Sequence, residues 1–153
     1  MADVFTLEQR ARVMAAVKGK DTRPELRLRR ALHAMGLRFR LQGRARGGRL
    51  PGSPDLVFAS ARAAVFVHGC FWHRHEGCPR ATTPASRMDY WGPKFARNVA
   101  RDREALEALA QAGWRTAVVW ECVLGARQAP RTAEQVAAWL RSGDPLLELP
   151  AGT

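Results

Sequence analysis

Apolar and polar positions alternate along the chain with two periods. From Leu7 to Val17 the period is helical: Leu7, Ala11, Met14 and Ala15 fall on one face, while Arg10, Arg12 and Lys18 lie mostly off it. Thr6 or Asp3 is a candidate cap and Gly19 a stop. The face is weakly apolar, so this helix is expected to lie on a partner rather than in the core. A second helix is expected to open at Asp21 or Thr22, with Pro24 in its first turn, a stripe of Leu26, Leu28, Leu32 and Met35, and Gly36 at its end. Leu37-Arg38-Phe39-Arg40-Leu41 then alternates with period two, as a half-buried strand does. Residues 42–53 are rich in glycine and arginine without apolar periodicity, which predicts a loop that either connects passively or contacts phosphates. Pro54 to Phe58 predicts a strand, Ala59 to Arg62 a turn, and Ala63 to Val67 a strand buried on both faces. A helix follows over Pro93 to Ala112, with Phe95, Val99, Leu106 and Leu109 on its buried side. Trp114 to Trp120 reads as another buried strand, and Thr132 as the cap of a last helix ending near Arg141. Residues 142–153 are expected to form a flexible tail. The order predicts an α/β domain, a mixed central sheet flanked by helices.

Composition narrows this picture. At 153 residues and 46% hydrophobic content the chain suits one domain, 1–153, with a true core. No apolar run reaches the roughly 18 to 20 residues of a membrane span, and the N-terminus does not read as a secretory signal. A cytoplasmic protein with no membrane partner is expected. The net charge is +11, and 13 of the 25 basic residues lie in the first 50 positions against Asp3, Glu8, Asp21 and Glu25. A basic half opposed by so few acids reads as a polyanion-binding face.

The chemistry concentrates in His68-Gly69-Cys70-Phe71-Trp72-His73-Arg74-His75-Glu76-Gly77-Cys78, which holds three of four histidines and two of three cysteines. Three cysteines suit a metal site better than a disulfide framework. If the strand before Cys122 lies beside the strand ending at Val67, Cys122 joins Cys70 and Cys78, and a histidine completes a tetrahedral Cys3His zinc set. His75 is preferred as that ligand, with His73 the alternative. Asp55, at a strand start after a basic loop, can hold Mg²⁺ against a phosphate oxygen. Its usual partner, an acidic-x-Lys pair on the next strand, is missing from Val65-Phe66-Val67-His68. Activation of water then falls to an imidazole, His68 or His73. Glu25 and Asp102 could join the site; each could equally be a helix-end or surface charge.

At these residues the chain resembles the very short patch repair (Vsr) DNA mismatch endonucleases, over roughly Arg10 to Leu140. The matching pieces are Asp21-Thr22 with Glu25, Leu50 to Asp55, His68-Gly69-Cys70-Phe71-Trp72-His73, Tyr90-Trp91, Asn98-Val99 with Arg101-Asp102, and Gly113-Trp114-Arg115 through Val119-Trp120-Glu121-Cys122. The resemblance implies a restriction-endonuclease-like core and Mg²⁺-dependent nicking 5′ to the thymine of a T·G mismatch left by deamination of 5-methylcytosine. It implies Asp55 and the Val67 carbonyl as Mg²⁺ ligands, His73 as general base, His68 beside the scissile phosphate, and Glu25 and Asp102 in support. Cys70, His75, Cys78 and Cys122 would hold structural zinc. Phe71, Trp72 and Trp91 would wedge into the base stack, and Met14 on the DNA-contacting helix within 1–20 would reach the minor groove. A monomer acting at the nucleoid on T·G duplex, with a MutL-type mismatch-repair protein as candidate partner, is the corresponding expectation. Two departures stand out: family members carry threonine where Val67 stands, and one extra residue separates His75 from Cys78. Two other readings stay open. One is a zinc-stabilised DNA-binding module without catalysis; the other is a nuclease of the same fold directed at another mismatch or a restriction-type target.

Overall fold

The computed structural model describes residues 21–151. The expected helix over Leu7 to Val17, and Met14 with it, lie outside the described residues. Helix α1 spans Arg23–Ala34: Thr22 caps it by accepting the Glu25 N–H, and Gly36 follows at φ +86°. Leu28 and Leu32 are buried, whereas Met35 is exposed and leaves the expected stripe.

Strands β1 (Arg40–Leu41), β4 (Leu56–Phe58), β5 (Ala63–His68), β6 (Arg115–Trp120) and β7 (Leu146–Leu149) form one sheet in the order β1-β4-β5-β6-β7. The β1–β4 and β4–β5 pairs are antiparallel, and the β5–β6 and β6–β7 pairs parallel. Long helix α2, Met88–Gln111, makes the crossover between β5 and β6, and α3, Ala129–Arg141, leads to β7. Leu28 and Leu32 of α1 and Ala133, Val136 and Trp139 of α3 cover one sheet face. Leu109 of α2 packs with Ala64 and Phe66 on the other. The expected mixed sheet flanked by helices is therefore present as an α/β/α sandwich. Among the described residues no helix is long and apolar enough to cross a membrane.

Several boundaries differ from expectation for identifiable reasons. Alternation over Leu37 to Leu41 holds, since Leu37, Phe39 and Leu41 pack on the core, but only Arg40–Leu41 pairs as strand. The 42–53 segment contains a small hairpin, β2 (Arg44–Ala45) with β3 (Gly48–Arg49), turned through Gly47 at φ +98°. Helix α2 begins at Met88 rather than Pro93; proline in the second turn removes one hydrogen bond without stopping the helix. Thr132 is inside α3 rather than its cap, with its hydroxyl donating to the Val123 carbonyl at 2.7 Å. The expected flexible tail instead supplies edge strand β7. Trp120 Nε1 donates to Glu148 at 2.9 Å and the Thr116 N–H to the Pro145 carbonyl, so these residues have native partners a sequence pattern does not display.

Candidate functional site

Two neighbouring strand ends build the site. β5 and β6 run parallel with His68 beside Trp120, so the chain after His68 and the turn after Trp120 leave the sheet together. That register brings Cys122 to Cys70 and Cys78. With His75 they form a group whose Sγ and imidazole nitrogen atoms all lie within 4.8 Å of one another. His75 Nδ1 is 3.6 Å from both Cys70 Sγ and Cys122 Sγ. Zinc bond lengths in a tetrahedron place nitrogen and sulfur about 3.6 Å apart, so these four residues fit a closed metal site. Burial, with Cys122 alongside, pushes the Cys70 thiol up to about 12, and burial raises Cys122 as well. Cys78 is half-buried; burial would raise its thiol, but hydrogen bonds from the Arg80 and Ala81 N–H groups and the neighbouring thiols hold it below its ordinary value. Three crowded thiols beside an imidazole are the donor set a cation would convert to thiolates. The extra residue between His75 and Cys78 is absorbed in a turn: the Cys78 N–H donates to the His75 carbonyl, and Gly77 takes φ +75°.

His73 is excluded from that group and joins another. Its Nδ1 is 2.6 Å from Asp102 Oδ2, and its ring lies parallel to that of His68, centroids 3.9 Å apart at 3°. His68, His73 and Asp102 also have ligand atoms within 4.8 Å of one another. A single ion is a poor fit there, because two parallel ring planes share no point at which both in-plane lone pairs could meet it. The arrangement is that of a histidine oriented by a carboxylate. His68 is buried, and burial with neighbouring His73 lowers its pKa to about 3, so it is neutral at neutral pH. The Trp120 ring stacks on His75 at 4.2 Å and meets His68 edge-on at 5.2 Å, standing between the two groups.

The carboxylates converge from the other side. The Val67 N–H donates to Asp55 Oδ2 at 2.6 Å. In extended backbone a residue's N–H and C=O project to the same side, so the Val67 carbonyl faces Asp55 too. Glu25 is 2% exposed on α1, and its Oε2 accepts from Arg29 at 2.6 Å and from the Asp21 N–H. Burial, then the hydrogen-bonded Glu25 carboxyl, hold Asp55 well above the usual carboxylate range, against the pull of the Val67 N–H and Arg29. Gly52 lets the loop before Asp55 approach α2; a Cβ there would lie 2.5 Å from Ala105 Cβ. Asp55, Val67, His68, His73 and Asp102 thus line one open cleft of about 390 Å³, with Asn98, Arg101 and Gln42. The last is a residue that sequence reasoning did not single out.

Beside the cleft the aromatic residues form one cluster. Phe71 and Trp72 are half-buried and meet edge to face at 5.2 Å. Trp91, expected to wedge into the base stack with them, is 2% exposed and packs against Phe71, Trp72 and Phe95. The exposed ring is Tyr90, at 48%, with Lys94 Nζ over both Tyr90 and Trp72.

Residues 2–79 match the family described as DNA mismatch endonuclease Vsr. The chain is 51% identical over 124 residues to the type II nicking enzyme V.XorIIP of Xanthomonas oryzae pv. oryzae, covering 81% of this chain and 88% of that one. It is 42% identical over 128 residues to the DNA mismatch endonuclease Vsr of Escherichia coli K12, covering 84% and 79%. It is 43% identical over 114 residues to the type II nicking enzyme V.NaeI of Lentzea aerocolonigenes, covering 73% and 67%.

Proposed function

From the premise that the chain belongs to the DNA mismatch endonuclease Vsr family, we propose that it nicks one strand of duplex DNA 5′ to the thymine of a T·G mismatch, using Mg²⁺ at Asp55. The observation that carries this reading is the His73–Asp102 pair set in one cleft with Asp55. Relatives named as nicking enzymes support cleavage of one strand. On the same grounds the core is read as restriction-endonuclease-like.

Asp55, the Val67 carbonyl and nearby Glu25 make a hard oxygen donor set, which suits Mg²⁺ rather than a soft ion. When bound, that ion supplies Lewis-acid polarisation of the phosphate and a more acidic water. Asp102 fixes the His73 tautomer with Nδ1–H toward the carboxylate, leaving Nε2 to take a proton from the attacking water. Neutral His68, stacked beneath it, holds that ring in plane and offers a hydrogen bond without adding charge. A backbone ligand at Val67 needs no side-chain hydroxyl, so valine is accommodated there. Cys70, His75, Cys78 and Cys122 hold zinc that fixes the loop carrying both His73 and the aromatic pair.

Phe71 and Trp72 present the wedge, and buried Trp91 backs it. Unstacking a base step costs about a few kcal/mol, and less at a mismatch, so insertion favours T·G over intact duplex. Nicking of T·G, other mismatches and perfect duplex should be compared with and without Mg²⁺. T·G-selective nicking that Asp55→Ala abolishes, with duplex binding kept, is expected. Binding without cleavage under Mg²⁺ or Mn²⁺ would favour the non-catalytic module, and equal cutting of perfect duplex a restriction-type target.

A further inference from the structure

Hydrolysis of a phosphodiester adds charge to the non-bridging oxygens, and a fixed cation is the usual answer in the protein. Strand β5 carries no lysine in the place where such nucleases commonly keep one: it reads Val65-Phe66-Val67-His68. Among the described residues that line the cleft, the permanent cation is Arg101. It belongs to the stripe Asn98, Arg101, Asp102 and Ala105, at the i, i+3, i+4, i+7 spacing that puts one face of α2 along the cleft. Its neighbour Asp102 is turned to His73, and among the described residues no carboxylate pairs with Arg101. One edge of the guanidinium is fixed instead by a neutral partner. Nη2 donates to Asn98 Oδ1 at 2.9 Å, and Asn98 Nδ2 donates to the Trp72 carbonyl at 3.2 Å. An arginine aimed along a catalytic cleft, positioned but not neutralised, keeps the rest of its donor fork for an anion.

We propose that Arg101 is a catalytic residue whose guanidinium contacts a non-bridging oxygen of the scissile phosphate, supplying the positive charge that the β5 lysine supplies elsewhere. This rests on the reading of the cleft as a phosphodiester-cleaving site. The competing role is an ordinary backbone contact that strengthens DNA binding without touching the bond that breaks. The two differ in where the contact is felt. Arg101 is exposed, so its replacement is compatible with folding.

The test is a single-turnover comparison of wild type, Arg101→Met and Arg101→Lys on T·G duplexes. The scissile phosphate is unmodified or replaced by either methylphosphonate diastereomer, and a matching set is modified at the adjacent phosphate. Arg101→Met should lose about 10²- to 10³-fold in rate on unmodified DNA, and Arg101→Lys less. One scissile diastereomer should slow wild type by a similar factor and leave Arg101→Met no slower than it already is. A rate within threefold of wild type for Arg101→Met overturns the proposal. So does an undiminished effect of both diastereomers in the variant, or coupling to the adjacent phosphate instead. No nicking by wild type overturns the reading of the cleft and this proposal with it; wild-type nicking with an unaffected variant overturns this proposal alone. Equal melting temperature and bound zinc across the three proteins separate a catalytic loss from a folding defect.

Discussion

His73 and His75 stand two residues apart and enter opposite chemistry. His75 meets three thiols, a four-donor soft set that would leave a tetrahedral ion no open position. His73 meets one carboxylate and a stacked imidazole, at the wall of an open cleft that also holds Asp55. Trp120 lies against both groups, stacked on His75 and edge-on to His68. Metal-ligand residue types alone therefore do not define a metal site. Convergence of lone pairs does, and the parallel rings of His68 and His73 lack it.

That contrast can be broken from either side. Cys122→Ser should have the largest effect: it opens the thiolate set, lowers stability by several kcal/mol and removes activity through loss of fold, as seen by calorimetry and metal content. Asp55→Ala should remove activity alone, by about 10³-fold or more. Its melting temperature should stay level or rise, because a desolvated carboxylate pressed on Glu25 is relieved. His73→Ala should cost about 10² to 10⁴ in single-turnover rate with zinc retained, whereas His75→Ala should lose zinc. If His73→Ala releases the metal and His75→Ala keeps it, the two histidines have been exchanged. Trp72→Ala should weaken binding to T·G duplex by about tenfold and leave perfect duplex nearly unchanged, the loss expected of one base–aromatic stack. Equal weakening on both would place Trp72 outside mismatch recognition.

Much of this was legible in residue order. The alternation and the apolar runs located β4, β5 and β6, and the clustering of cysteine and histidine located the site. Bringing Cys122 to Cys70 depends on the strand before Cys122 lying beside β5, a condition that the parallel β5–β6 register meets. What sequence could not separate depended on three-dimensional contact. Burial of Trp91 against Phe71 and Phe95, and exposure of its neighbour Tyr90, follow from how α2 rolls on the loop, a choice that adjacent aromatics in a helix leave open. Strand β7 is not legible in its own four residues, whose burial pattern is weak, because its partners Trp120 and Thr116 lie far away in sequence. The spacing of His75 and Cys78 is accommodated by a turn with Gly77 in the left-handed region, a conformation that residue order alone does not fix.

On the proposed reading, two metals of different chemistry serve these two regions independently. Its most direct measurement is metal content and nicking on one sample before and after brief chelation. About one zinc per chain should survive chelation, while nicking of T·G duplex is lost and returns with Mg²⁺ alone. Loss of zinc in step with activity, with Mg²⁺ failing to restore it, would contradict the account.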